Sequence, residues 1–184
     1  AHQRAGELMR SPFDILEAYE RRSLAHAVQL PERHFAQDLW RGVGYRIGGR
    51  RLVSDFREVV EIVPMPPVTP VPGAEPWLLG VGNLRGNLFP VVDLKCFLEG
   101  ERTVQQEGAR VLIMRQAGGD VALTIDELFG QRSFDTAEEA GIEALADGRY
   151  AHFIERAFHA DGHAWGVFSL SLLSRTPEFR HAAA

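Results

Sequence analysis

Three residues able to ligate a metal, His159, Asp161 and His163, fall within one five-residue stretch of this 184-residue chain. An ion held there would activate water for hydrolysis, but a zinc site would also want a fourth group from elsewhere. An Asp161-Gly162 turn between two strands accounts for the same residues without a metal. A metal-dependent hydrolase using this cluster therefore stands only as an alternative. Cys96 could act as a nucleophile, yet it lies in an apolar run with Leu94, Phe97 and Leu98 that points to a buried, inert thiol. No Gly-x-Ser-x-Gly elbow or Walker-type phosphate loop is present. Gly42-Val43-Gly44 and Gly80-Val81-Gly82 lack the third glycine and the strand–loop–helix setting of a dinucleotide site. No catalytic residue, metal or cofactor is expected. What remains is recognition chemistry. Arg85, at a tight turn, offers a guanidinium fork that can pair with a carboxylate or with helix-end carbonyls. Gly80 serves either a left-handed or close-packed backbone or the near approach of a partner helix. Val59 and Glu61 are expected on one face of an extended segment, because side chains alternate, with an apolar anchor beside a charged one.

The elements that must position these residues are mostly strands. Val43, Tyr45 and Ile47 alternate with Gly44 and Arg46, Gly48-Gly49 supplies a hairpin turn, and Arg51 to Ser54 return. A further apolar segment runs from Phe56 to Val63. Six of the ten prolines fall between Pro64 and Pro76, so that stretch must run extended and cannot be a central strand. Two strands then meet at Arg85-Gly86, followed by a short helical run through Lys95 to Leu98. Strands resume at Val111 to Met114 and at Val121 to Ile125 around Gly118-Gly119-Asp120. Residues 135 to 147 carry five acids and no base, the pattern of an exposed acidic loop or short helix. A last hairpin joins Phe153–Phe158 to His163–Leu170. Ahead of all this, Ser11-Pro12 is a helix start, and Phe13, Ile15, Leu16, Tyr19, Leu24 and Val28 form an apolar stripe that ends at Leu30-Pro31. The expected organisation is a helical extension over residues 1–38, a β domain over 39–178 and a short tail over 179–184.

Composition narrows the function classes. A net charge of −5 and a pI near 5.8 argue against a nucleic-acid module, which needs a counterion-releasing basic surface. No apolar run approaches the ~18 residues of a membrane span, and the first residues lack the apolar stretch of a secretory signal. One cysteine excludes an internal disulfide and fits a reducing cytoplasm.

The chain also repeats itself. Gly48-Gly49 has a counterpart at Gly118-Gly119, and Leu52-Val53-Ser54-Asp55 one at Leu123-Thr124-Ile125-Asp126. At an offset of 76, Arg85-Gly86 matches Asp161-Gly162, and Val91 to Leu94 match Val167 to Leu170. Each half reads as hairpin, third strand, connector, hairpin and closing helical turn. About five short strands per half are too few for an open sheet to bury both faces, so each half is expected to curl into a small barrel, the two sharing one apolar seam.

The segment from Leu79 to Leu94, with Asn83-Leu84-Arg85-Gly86 and Val92-Asp93-Leu94 inside it, resembles the hallmark of CheW-like domains. Val59-Val60-Glu61-Ile62 resembles the family's Val-x-Glu-Ile segment. The resemblance covers residues 40 to 175. It implies two similar five-stranded β-barrels flanking a hydrophobic groove, and a non-enzymatic chemosensory adaptor. Such adaptors couple the cytoplasmic tip of methyl-accepting chemoreceptors to the regulatory domain of a CheA-type histidine kinase, in the cytoplasm and recruited to receptor arrays without membrane insertion. The N-terminal extension resembles that of PilI-type homologues, which serve type IV pilus twitching, more than that of flagellar ones. By resemblance Val59, Glu61, Gly80, Asn83 and Arg85 match contact positions for receptor or kinase. The CheW-like part of a larger coupling protein is a further reading. The acidic segment, Gly82, Cys96 and Phe97 depart from the family pattern and bear on partner choice.

Overall fold

The computed structural model describes residues 38–182. The expected helix from Ser11 to Leu30 lies outside the described residues. Within them are twelve strands: β1 (Leu39–Ile47), β2 (Arg50–Asp55), β3 (Val59–Pro64), β4 (Val68–Thr69), β5 (Leu78–Leu84), β6 (Asn87–Val92), β7 (Arg110–Gln116), β8 (Gly119–Ile125), β9 (Glu127–Asp135), β10 (Glu139–Ala140), β11 (Ile154–Ala160) and β12 (His163–Phe168). Three one-turn helices accompany them: α1 (Leu94–Glu99), α2 (Leu170–Arg175) and α3 (Pro177–Ala182). The first lobe is a sheet ordered β3-β7-β8-β6-β5-β4, and the second is ordered β9-β1-β2-β12-β11-β10. Each has six strands rather than five, because a two-residue edge strand, β4 or β10, is added to the five expected. β10 lies inside the acidic segment, which is therefore not wholly loop.

The repeat is genuine, and its halves are intertwined. Both sheets follow one plan, with β3, β7, β8, β6, β5 and β4 taking the places of β9, β1, β2, β12, β11 and β10. Each opening hairpin sits in the lobe built mainly by the other half: β1–β2 among β9 to β12, and β7–β8 among β3 to β6. The expectation that each half forms its own barrel is corrected accordingly. Details recur at the offset of 76. A bulge falls between Leu78 and Gly80 in β5 and between Ile154 and Arg156 in β11. Arg85 and Asp161 both take φ of 54°, each followed by a glycine of positive φ, as a two-residue hairpin turn requires. The opening hairpins correspond at 69: Ile47 faces Arg50 as Gln116 faces Gly119. The sequence matches at 70 and 71 slipped along the strand by one or two residues.

Chain length forces both sheets to curl. Six strands laid flat would set the first and last roughly 24 Å apart. Only Met65, Pro66 and Pro67 separate β3 from β4, and only Thr136 to Glu138 separate β9 from β10; such links reach at most about 14 Å. Each lobe is thus a curled sheet whose terminal strands, β3 and β4 or β9 and β10, are not neighbours in the ladder order. Inside the first lobe Phe89, Val91, Val111, Ile113 and Ala122 are buried; inside the second, Val53, Phe134, Phe158, Trp165 and Val167. The largest core lies between the lobes, where Tyr45, Ile47 and Leu52 meet Val92, Leu112, Met114, Leu123 and Phe168. Phe97 of α1 bridges this seam, edge-on to Trp77 at 5.0 Å and near Phe153 at 6.3 Å. Phe179 of α3 is fully buried and stacks on Trp77 at 6.0 Å, so the expected tail begins inside packed structure.

Candidate protein-interaction site

The sheet curl brings Glu61 of β3 and Arg85 of the β5–β6 turn together. Arg85 Nη2 donates to Glu61 Oε1, with the two side chains 70% and 37% exposed. β3 and β5 stand four places apart in the sheet, so this pair exists only because the sheet is rolled. Asn83 fastens the turn: its Oδ1 accepts the Gly86 N–H at 3.1 Å. Asn83, Glu61 and Arg85 therefore form one rim.

Val59 and Gly80 do not join it. A bulge inserts Val60 between residues that face Met114 and Ile113, which breaks the alternation. Val59 consequently packs against the core between the lobes, whereas Glu61 shares its face with Val63, which packs in the first lobe. The expectation of one shared face is overturned by that single extra residue. Gly80 is buried with φ of 146°, and a Cβ there would stand 2.1 Å from the Thr69 carbonyl oxygen. Its bareness lets β4 lie against β5. Two apolar residues missed in the sequence border the rim: Leu88, 70% exposed, and Val60, 40% exposed. The signal for Leu88 was period two, since inward Phe89 and Val91 turn it outward.

The other chemical candidates resolve structurally. His159 pairs with Ala164 and His163 with Ala160, so the two imidazoles project from opposite faces of the β11–β12 hairpin and do not converge. Among the described residues no cluster of His, Cys, Asp or Glu could hold a metal. Cys96 is buried in α1, and burial pushes its thiol up, with Asp93 adding repulsion. That opposes thiolate formation. Clefts of about 410 and 360 Å³ flank the aromatic seam, the first against Trp77, Phe97 and Arg149, the second against Phe153, Leu172 and Glu178.

Two curled lobes with a shared core carry a polar rim at a left-handed turn. Residues 41–178 match the CheW-like domain model, and the chain belongs to that family. It is a CheW-like chemotaxis adaptor. Protein PilI of Pseudomonas aeruginosa is 32% identical over 175 residues, covering 95% of this chain and 98% of that one. Chemotaxis protein CheW of Helicobacter pylori is 29% identical over 114 residues, 62% of this chain and 68% of that one. The crystal structure of the scaffolding protein TtCheW from Thermoanaerobacter tengcongensis has a TM-score of 0.63 at 20% identity, covering 74% of this chain and 93% of that one. No helix of the described residues is long and apolar enough to cross a membrane.

Proposed function

We propose that the protein couples methyl-accepting chemoreceptors to a CheA-type histidine kinase in a type IV pilus system that controls twitching, and that it does so in the cytoplasm without catalysing a reaction. The nearly full-length likeness to a PilI protein supports the choice of pathway. The observation that carries the coupling role is Arg85. It occupies a left-handed turn position that asparagine, aspartate or glycine would hold with less strain, and its repeat counterpart is indeed Asp161. Turn geometry therefore does not account for an arginine; recognition does. Glu61 holds the guanidinium at the rim, where a partner carboxylate or helix-end carbonyl exchanges for it, with Leu88 and Val60 as apolar flanks. The clefts along the aromatic seam suit the receptor's helical tip in a helix-in-groove mode. A small shift in receptor packing then changes the population of active kinase held in the same array.

Arg85→Asn tests this reading. Co-purification with a receptor cytoplasmic fragment and the kinase regulatory domain is expected to fall by about tenfold or more, the worth of one charge-assisted contact. Undiminished recovery of both partners would overturn the rim assignment.

A further inference from the structure

Among the described residues, two arginines packed on aromatic rings of the second lobe stand without an acid, in a chain with 25 acids to 20 bases. Arg51 of β2 and Arg132 of β9 lie against the same two rings. Arg51 Cζ is 4.8 Å from the Phe129 centroid and 5.4 Å from that of Trp165; for Arg132 the distances are 5.9 and 5.2 Å. Neither guanidinium has an ion-pair or hydrogen-bond partner among the described residues, and the Nε–H of Arg132 is buried without an acceptor. Most other arginines near rings are engaged elsewhere: Arg50 pairs with Asp147, Arg149 with Glu178 and Arg156 with Glu139.

The place is built. Phe129 and Trp165 meet edge-on at 5.3 Å. Gly44 makes room for the stem of Arg132, because a Cβ there would stand 2.9 Å from Arg132 Cγ and 3.3 Å from the Trp165 ring. The repeat supplies a comparison inside one molecule. By strand register Gly44 corresponds to Ile113, Arg51 to Asp120 and Trp165 to Phe89. In the first lobe Ile113 and Phe89 close an apolar core. The second lobe carries no side chain at the equivalent place and passes an arginine across it instead.

We propose that this end of the second lobe is a carboxylate-binding clamp for an acidic side chain of a partner protein, with Arg51 and Arg132 as donors and the two rings as the wall that holds them. Ring faces fix a guanidinium while leaving its N–H edge free. A buried N–H without an acceptor is costly to keep, and a charged acceptor beside the guanidinium offsets that cost with a strong bond. The choice of a protein carboxylate over a phosphate rests on the adaptor reading above.

Fluorescence anisotropy of a labelled hexaglutamate peptide against the full chain tests the clamp. Saturable binding is expected, weakened about tenfold or more by Arg51→Gln and by Arg132→Gln. It is expected to be unchanged by Arg115→Gln, at an exposed arginine of the first lobe. If Arg132→Gln does not fold, Arg51→Gln alone decides. Absence of saturable binding, or equal loss with Arg115→Gln, overturns the assignment. Displacement of the peptide by inorganic phosphate at lower concentration than by glutarate overturns the choice of a carboxylate. Since the receptor–kinase reading is read out separately, by co-purification through Arg85, failure here leaves that reading standing.

Discussion

Arg85 illustrates how local strain and function separate. An asparagine at φ of 54° relieves the backbone, and the exposed Glu61 pair it removes is worth about 0–1 kcal/mol, so Arg85→Asn is expected to melt close to the wild type while losing partners. Glu58 contributes a pH dependence of its own. Its carboxylate accepts the Ser171 N–H at the start of α2, but burial pushes its pKa up from the ordinary carboxylate range and outweighs that bond, with Asp55 and Glu155 adding repulsion. A folded-state value above the unfolded one means a contribution that is full below the unfolded pKa and lost as pH rises through the folded one. Thermal midpoints of Glu58→Gln relative to wild type are therefore expected to rise as the pH increases from the ordinary carboxylate range, about 4, upward. A difference independent of pH would sink that account. The turn that carries Arg85 was legible in the sequence because it is local. The facing of Val59 was not, because a bulge depends on the partner strand, which the segment itself does not contain.

α1 and α2 occupy equivalent places and are capped unequally. Asp93 is fully buried and accepts the N–H of Cys96 at 3.2 Å, the N–H of Thr103 at 2.8 Å and the hydroxyl of Thr103 at 2.7 Å. Ser169 makes one cap bond, from the Leu172 N–H at 3.1 Å. Asp93→Ala leaves several buried donors unpaired and is expected to cost about 2–4 kcal/mol; Ser169→Ala should cost about 1 kcal/mol. Equal losses in chemical denaturation would refute the difference. Hairpins were the readable elements, since alternation and Gly-containing turns are written within a dozen residues. β9 was not named beforehand, because Gly130, at φ of 78°, interrupts its alternation. β4 and β10 are too short to have a period at all.

The molecule is bound together by its shared core. The first lobe is the continuous run from β3 to β8, inserted between β2 and β9 of the second, and the largest core belongs to both. Opening one lobe would expose the core face of the other, so the two are expected to unfold together. Differential scanning calorimetry should record one transition, with calorimetric and van't Hoff enthalpies in agreement. Two resolved transitions would show that the shared core does not couple the lobes.

By itself the sequence determined the hairpins, the duplication and the turn that carries Arg85, because each is governed by residues close along the chain. Tertiary structure alone decided which hairpin joined which lobe, that Glu61 would meet Arg85, that His159 and His163 would part, and that Arg51 and Arg132 would share one aromatic wall. Those outcomes depend on strand register and sheet curl, which join residues far apart in sequence, and a slip of two residues leaves the hydrophobic pattern unchanged.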